Sequence, residues 1–267
     1  MRLRGIAAVA WALASAGPLA VPAGAGQGAA PGRTIYVEEC AICHGPAGDG
    51  DGMAAPMFQV KPRDFRPGVF KFRSTPTGAL PTDTDLVRTI RRGLPGSAMV
   101  PQDHLTDAEV RDVIAYFKTF SPRFAAEPPP APVPIPPAPA ASASLLASGR
   151  ELYREMKCPE CHGPAGRGDG DSAGLLKDDQ GHPLRPADLA RRPLKAGDGP
   201  EAIYRTLATG VGGTGMPSYL DALTPGELWA LVRYVETLRP AGMVHAPTAD
   251  ELAGRPVVIM HQPRRRR

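Results

Sequence analysis

The sequence predicts an all-α chain of two tandem domains joined by a proline-rich linker, and three observations carry that prediction. One pentapeptide, Cys-x-x-Cys-His, occurs as "CAICH" at 40–44 and as "CPECH" at 158–162, and the two copies use all four cysteines of the chain. Between them, "EPPPAPVPIPPAPAAS" at 127–142 holds eight prolines from Pro128 to Pro139. No segment alternates apolar and polar residues at period two between turn signals, whereas several show helical periodicity with capping residues.

Taken in order, the chain opens with Arg2 and Arg4, an apolar run from Ile6 to Ala14, and the small-residue stretch Ala23-Gly24-Ala25. That order predicts a secretory signal peptide over 1–25. An uncleaved membrane anchor is the competing reading, but Gly17, Pro18 and Pro22 leave the apolar core short of the roughly 20 residues a span needs. The first domain is expected at 31–123 and the second at 145–241, with the linker at 124–144 and a disordered basic tail at 242–267. Their features match: Gly32 and Tyr36 precede Cys40 as Gly149 and Tyr153 precede Cys158, each pair at i, i+4 on one helix face. Helices are expected around Asp83 to Arg92 and Glu201 to Thr209. Each half then ends in an amphipathic helix with a capping box, Thr106 with Glu109 and Thr224 with Glu227, and Pro225 stands at the favoured first position. The proline run favours a polyproline II conformation and predicts a semi-rigid tether.

Charge excludes one function class. The net charge of +4 is more than supplied by Arg2, Arg4 and the four arginines from Arg264 to Arg267. Residues 31–123 carry 12 Lys and Arg against 11 Asp and Glu, and residues 145–241 carry 12 against 13. A nucleic-acid binder would spread basic residues over a folded face, and this chain does not.

Cys-x-x-Cys places two sulfurs about one helical turn apart, and a histidine directly after the second projects on the same side. This matches a c-type haem, with two thioether bonds to the porphyrin and the imidazole as proximal iron ligand. Zinc ribbons bring their cysteine pairs within roughly 15 to 20 residues, but the first cysteines here are 118 apart. A disulfide oxidoreductase would need a βαβ context. Cys40, Cys43 and His44 are thus one attachment site, and Cys158, Cys161 and His162 the other. A methionine in a glycine-containing loop follows each at nearly equal distance: Met99, 56 residues after Cys43, and Met216, 55 after Cys161. These are the expected distal ligands, since His/Met ligation uses a soft thioether and raises the reduction potential. Pro217 follows Met216 directly, whereas Val100 intervenes before Pro101, and His104 stands nearby as a substitute ligand. Met53 and Met57 are too close to Cys43 to reach the opposite haem face.

With those motifs the chain resembles a di-haem class I cytochrome c over about 31–123 and 145–241. The resemblance implies two covalently attached haem c groups, His44 and His162 as proximal and Met99 and Met216 as distal iron ligands, and no catalytic residue. It implies a periplasmic electron carrier, not an enzyme, working between respiratory partners: a quinol-oxidising or dehydrogenase donor and an oxidase or cytochrome acceptor. No nucleic acid is involved, and any membrane association would run through a partner complex. Two rival readings share the motif: a di-haem peroxidase-like enzyme with one open haem, and a haem subunit of a larger respiratory oxidoreductase complex. Localisation is expected to be periplasmic, or membrane-anchored facing the periplasm. The resemblance further implies that the first and last helices of each half cross near the Gly and Tyr positions.

Weaker signals point elsewhere. "GDGDG" at 48–52 fails the calcium-loop pattern because Met53, and Ala173 in the second copy, stand at the third ligand position. The basic segment with Lys61, Arg63, Arg66, Lys71 and Arg73 reads as a partner for haem propionates, a steering patch for an acidic protein, or a solvated loop, with "LRPADLARRP" as its counterpart. His182, His245 and His261 are expected to be solvent-exposed.

Overall fold

The computed structural model describes residues 29–239 apart from Arg192. The leader at 1–25 and the tail at 242–267, with His245 and His261, lie outside the described residues. Helix α1 (Ala29–Ile35) runs into a π-turn over Tyr36–Cys40 and then α2 (Ala41–His44); α3 (Asp83–Arg92), α4 (Asp107–Lys118) and the short α5 (Arg123–Ala126) complete the first helical unit. The second follows as α6 (Ala143–Glu155), α7 (Cys158–His162), α8 (Pro200–Thr209) and α9 (Pro225–Thr237). Among the described residues the only strand-type pairing is an isolated bridge between Lys177 and Pro183. No helix among them is long and apolar enough to cross a membrane.

Each unit is organised by a helix crossing that only glycine permits. A Cβ on Gly32 would lie 2.0 Å from the Asp112 carbonyl oxygen of α4, and a Cβ on Gly149 would lie 2.0 Å from that of Ala230 in α9. Backbones approach so closely there that the crossing seals the Tyr side chain one turn later. Tyr36 rests against Tyr116 and Phe120, and Tyr153 against Tyr234. Both phenols are buried and donate to a carbonyl just past the Cys-x-x-Cys-His helix: Tyr36 to Gly45 at 2.8 Å and Tyr153 to Gly163 at 2.7 Å. The first and last helices therefore cross at the Gly and Tyr positions in both halves.

The two halves differ by one residue before the first cysteine, and each absorbs it differently. The first underwinds Tyr36–Cys40 into a π-turn; the second breaks the helix at Lys157, a non-glycine residue in the left-handed region with φ 59°. Both devices bring Cys-x-x-Cys-His to the same place below the crossing.

The expected capping boxes close at Thr106/Glu109 and Thr224/Glu227. A third, unforeseen, closes at Thr82/Asp85. Asp85 is wholly buried and also accepts from the Ser74 amide and hydroxyl and from Arg88. Burial by itself would raise the Asp85 carboxyl, but the Ser74 amide, the Arg88 charge, the Ser74 hydroxyl and the Thr82 amide together hold it below its ordinary value.

The proline segment departs from expectation. It forms no helix or strand, and rather than acting as a semi-rigid tether it is a packed strap: Val133 is buried in the second core, its amide donates to the Ser74 carbonyl of the first unit at 2.8 Å, and the Pro136 carbonyl accepts from Trp229 Nε1 at 3.1 Å. Burial of Val133 in the second core, with Ile135 packed against it, holds the segment where prolines leave few donors to satisfy.

Candidate functional site

Residues 40–44 and 158–162 present the same donor set in the same setting. His44 Nδ1 lies 3.1 Å from the Arg63 carbonyl oxygen, and His162 Nδ1 lies 2.9 Å from that of Ala187. A carbonyl can only accept, so each Nδ1 carries the proton and each Nε2 keeps its lone pair for a metal. Burial lowers the pKa of both rings, against the smaller raising effect of those carbonyls, so both imidazoles are neutral as a ligand must be. Phe65 stacks on His44 with ring centroids 4.5 Å apart. Burial, aided by Glu39, pushes the Cys40 thiol up to about 12, and burial likewise raises Cys43. Burial pushes Cys158 up to about 11 against a hydrogen bond with Tyr219. These uncharged thiols suit an apolar macrocycle. Two thiols one turn apart and an imidazole with a free Nε2 are the donor set a covalently bound haem needs, so the residues present fit that group.

The glycine-rich loops after each motif have a positional reason. The chain doubles back beneath α2 and α7: Gly50 and Gly52 amides donate to the His44 and Cys43 carbonyls, and Gly168 and Gly170 amides donate to those of His162 and Cys161. A Cβ on Gly52 would stand 2.4 Å from the Ile42 oxygen, and one on Gly170 2.3 Å from the Pro159 oxygen. "GDGDG" is thus a backbone return that satisfies the orphan carbonyls of a short helix.

The carbonyls that orient the histidines were missed in the sequence, because a main-chain acceptor carries no residue identity. A signal was nevertheless present: Pro62-Arg63-Asp64-Phe65 and Pro186-Ala187-Asp188-Leu189 repeat one pattern. In both, the aspartate Oδ1 accepts from the amide two residues on, Arg66 at 2.9 Å and Ala190 at 3.0 Å. In both, the hydrophobic residue's amide returns to the loop after the motif, Phe65 to Gly48 and Leu189 to Gly166.

Met99 and Met216 sit in loops of one construction. The Leu94 amide donates to the Met99 carbonyl at 2.8 Å, as Val211 does to Met216 at 3.0 Å. The Ser97 hydroxyl bridges the Leu94 carbonyl and the Met99 amide, as the Thr214 hydroxyl bridges Val211 and Met216. Gly93 and Gly210 open the loops with positive φ, and a Cβ on either would strike the methionine carbonyl at 2.5 and 2.8 Å. The absence of proline directly after Met99 leaves this scaffold unchanged. His104 instead faces Glu39 at 3.4 Å. Met53 and Met57 are exposed, and His182 is only partly so, with Asp178 at 3.7 Å.

The basic segment is largely an interface within the molecule rather than a solvated loop. Arg63 forms a bidentate pair with Asp179 at 2.7 and 2.6 Å, Lys71 reaches Asp178 at 3.3 Å, and Arg73 donates to the Thr209 carbonyl at 2.8 Å. Arg66 stays local, on Asp64, and Lys61 donates to the Ala55 carbonyl. Among the described residues, one guanidinium nitrogen of buried Arg73, Nη1, has no hydrogen-bond partner. Among the described residues no group of three or more His, Cys, Asp or Glu side chains could hold a metal ion by itself.

Comparison with known proteins agrees with this duplication. Residues 29–121 match the family model described as cytochrome c, and residues 144–235 that described as cytochrome C oxidase, cbb3-type, subunit III. Among solved structures, the chain is similar to one from the Kuenenia stuttgartiensis reducing HAO-like protein complex Kustc0457/Kustc0458, with 39% identity and a TM-score of 0.77 over 79% of this chain and 96% of that one. No curated protein matches the chain.

Proposed function

Since the chain belongs to the cytochrome c family, as a di-haem class I member with two haem c groups held through its cysteine pairs, we propose that it carries electrons through two His/Met-ligated irons. His44 with Met99 would bind one iron, and His162 with Met216 the other. The observation that carries this reading is the repetition of both scaffolds: a carbonyl-held imidazole with a free Nε2, and a methionine loop built from the same hydrogen bonds.

Bound haem supplies one-electron redox chemistry. The chain's own residues then do four things. The cysteines fix the macrocycle covalently, so a domain of about a hundred residues holds it despite a small core. The Arg63 and Ala187 carbonyls set the histidine tautomer and strengthen its basicity. The loops around Ser97 and Thr214 present a thioether, which favours the reduced iron. The aromatic cluster of Phe65, Phe70 and Phe117 packs beside His44 and keeps water from that side.

If His44 with Met99 and His162 with Met216 hold the irons, no ligand position would be left for substrate, and we read the protein as a carrier rather than an enzyme. The leader supports export to the periplasm, where donor and acceptor would be redox proteins: a quinol oxidiser or dehydrogenase, and an oxidase or cytochrome. The likeness to a chain of a reducing HAO-like complex favours a second form of the same reading, in which the protein is the haem subunit of an oxidoreductase assembly. The absorption spectrum of the purified holoprotein tests the proposal. Two haems per chain, a methionine-to-ferric-iron charge-transfer band and no response of the reduced form to carbon monoxide are expected. A carbon monoxide shift in one haem would replace it with the peroxidase-like reading. Co-purification with a larger complex would decide between free carrier and subunit.

A further inference from the structure

The ion pair Arg63–Asp179 joins the two sites at a particular pair of points. On the first-unit side, Arg63 is the residue whose carbonyl accepts from His44 Nδ1, and its Nε is fixed on the Val69 carbonyl at 2.7 Å. The residue that reaches across to the second unit is thus the one whose carbonyl orients the histidine, and its side chain is held at both Nε and the guanidinium tip. On the second-unit side, Asp179 lies on the methionine loop: its amide donates to the Gly213 carbonyl at 2.9 Å, and a Cβ on Gly213 would stand 2.5 Å from Asp179 Oδ1. Gly213 lies inside the turn that Val211 closes on Met216. A second bond runs in parallel, from the Gly212 amide to the Lys71 carbonyl at 3.0 Å. The counterpart of Arg63 in the second half is Ala187, whose methyl group is too short to reach across, so the second histidine has no matching arginine link.

We propose that Arg63 and Asp179 form a coupling bridge through which the geometry of the Met216 loop sets the proximal histidine hydrogen bond, and hence the reduction potential, of the first haem. The inference rests on the axial assignments made above. Both residues are positioning residues that act through His44 and Met216. The Arg63 side chain is 11% exposed and that of Asp179 32%, so water screens the pair only partly. Linkage makes the coupling reciprocal: whatever the Met216 loop does to the first haem, the state of the first haem does to that loop. The sign follows from chemistry. Without the carboxylate, the Arg63 charge is uncompensated beside the first site and disfavours the ferric state. A loosened carbonyl also leaves His44 a weaker base, which acts the same way. Asp179→Asn therefore raises the potential of the first haem.

The test is a redox titration of the holoprotein with the haems resolved by their paramagnetically shifted proton resonances, for wild type, D179N, R63Q and the double variant. In D179N the partition of a single electron shifts threefold to tenfold toward the first haem, at most about 59 mV for a one-electron couple. In the double variant R63Q removes the uncompensated charge, so the potential falls back toward wild type and only the part due to the loosened carbonyl remains. D64N, which removes an equal charge from the neighbouring residue, serves as the control. The decisive arm is M216H, which exchanges one neutral ligand for another. It moves the first haem's potential and His44 resonances in wild type and in D64N, but not in D179N. An equal response to M216H in D179N and wild type would overturn the proposal, since only ordinary haem-to-haem repulsion would then remain. So would a D179N effect of the same size on both haems, which would mean general loosening. If D179N does not accumulate two haems, R63K, which keeps the charge but loses the fork, carries the same comparison. A wild-type spectrum without the methionine band would overturn the axial reading itself and this bridge with it.

Discussion

At the residue scale the chemistry turns on what each donor is allowed to be. His44 and His162 can serve a metal because each Nδ1–H donates to a carbonyl and leaves Nε2 its lone pair, and Met99 and Met216 because a hydroxyl two residues earlier pins each amide. Replacing either methionine by leucine should remove one methionine band and let carbon monoxide bind the reduced haem of that half alone, which absorption spectroscopy reads directly. Met99→His should instead keep the iron closed and lower that haem's potential, by a part of the roughly 0.8 V over which axial ligands act. Asp85 carries a prediction about stability. Its folded pKa lies below its ordinary 3.8, so its contribution is present above that value and lost as pH falls through the folded one. Asp85→Ala, which strips five hydrogen bonds from a buried capping box, should cost about 3 kcal/mol at pH 7. Urea melts should show the gap between variant and wild type narrowing below about pH 4.

At the element scale, the helix crossings hold the sites in place. Gly32→Ala and Gly149→Ala each force a Cβ onto a carbonyl 2.0 Å away; backbone must shift, at about 3 kcal/mol, the upper end for overpacking. Each should destabilise its own unit and lower haem occupancy there, measured as haem per chain after reduction. The capping boxes are a milder case: Thr106→Ala or Thr224→Ala should cost about 1 kcal/mol by thermal melts, with spectra unchanged. The helices themselves were legible in the sequence: α4 and α9 begin at the Thr-x-x-Glu boxes read there, and α3 and α8 fall at the expected Asp83 to Arg92 and Glu201 to Thr209. The π-turn before Cys40 and the left-handed Lys157 were not. They are local distortions that only a fixed site below a fixed crossing demands.

At the scale of the whole molecule, the proline segment and the basic segment change meaning together. Read alone, the first is a tether and the second a charged loop. Folded, Val133 fills the second core while bonding the first unit, and Arg63, Lys71 and Arg73 all end on second-unit acceptors. The two haem units are thus clamped at a fixed separation. Val133→Asp should cost about 2 to 3 kcal/mol, the loss of a buried valine plus an unpaired charge. Calorimetry of this variant should resolve into two transitions what in wild type is one. Pairing within one chain also accounts for part of so concentrated a basic segment: Arg63 and Lys71 are answered by Asp179 and Asp178 of the second unit.

The sequence by itself determined the helical class, the duplication, the two attachment motifs and the pair of loop methionines. Each of these is local: a spacing, a cap, or a soft donor at a repeated distance. Only the tertiary structure decided which carbonyls hold the histidines, that the loop of Met99 matches that of Met216 despite Val100, and that the linker is a strap. It also decided that Arg63 meets Asp179. These are encounters between segments up to 116 residues apart, or bonds to main-chain atoms common to every residue, and neither leaves a mark in the order of side chains until the chain has folded.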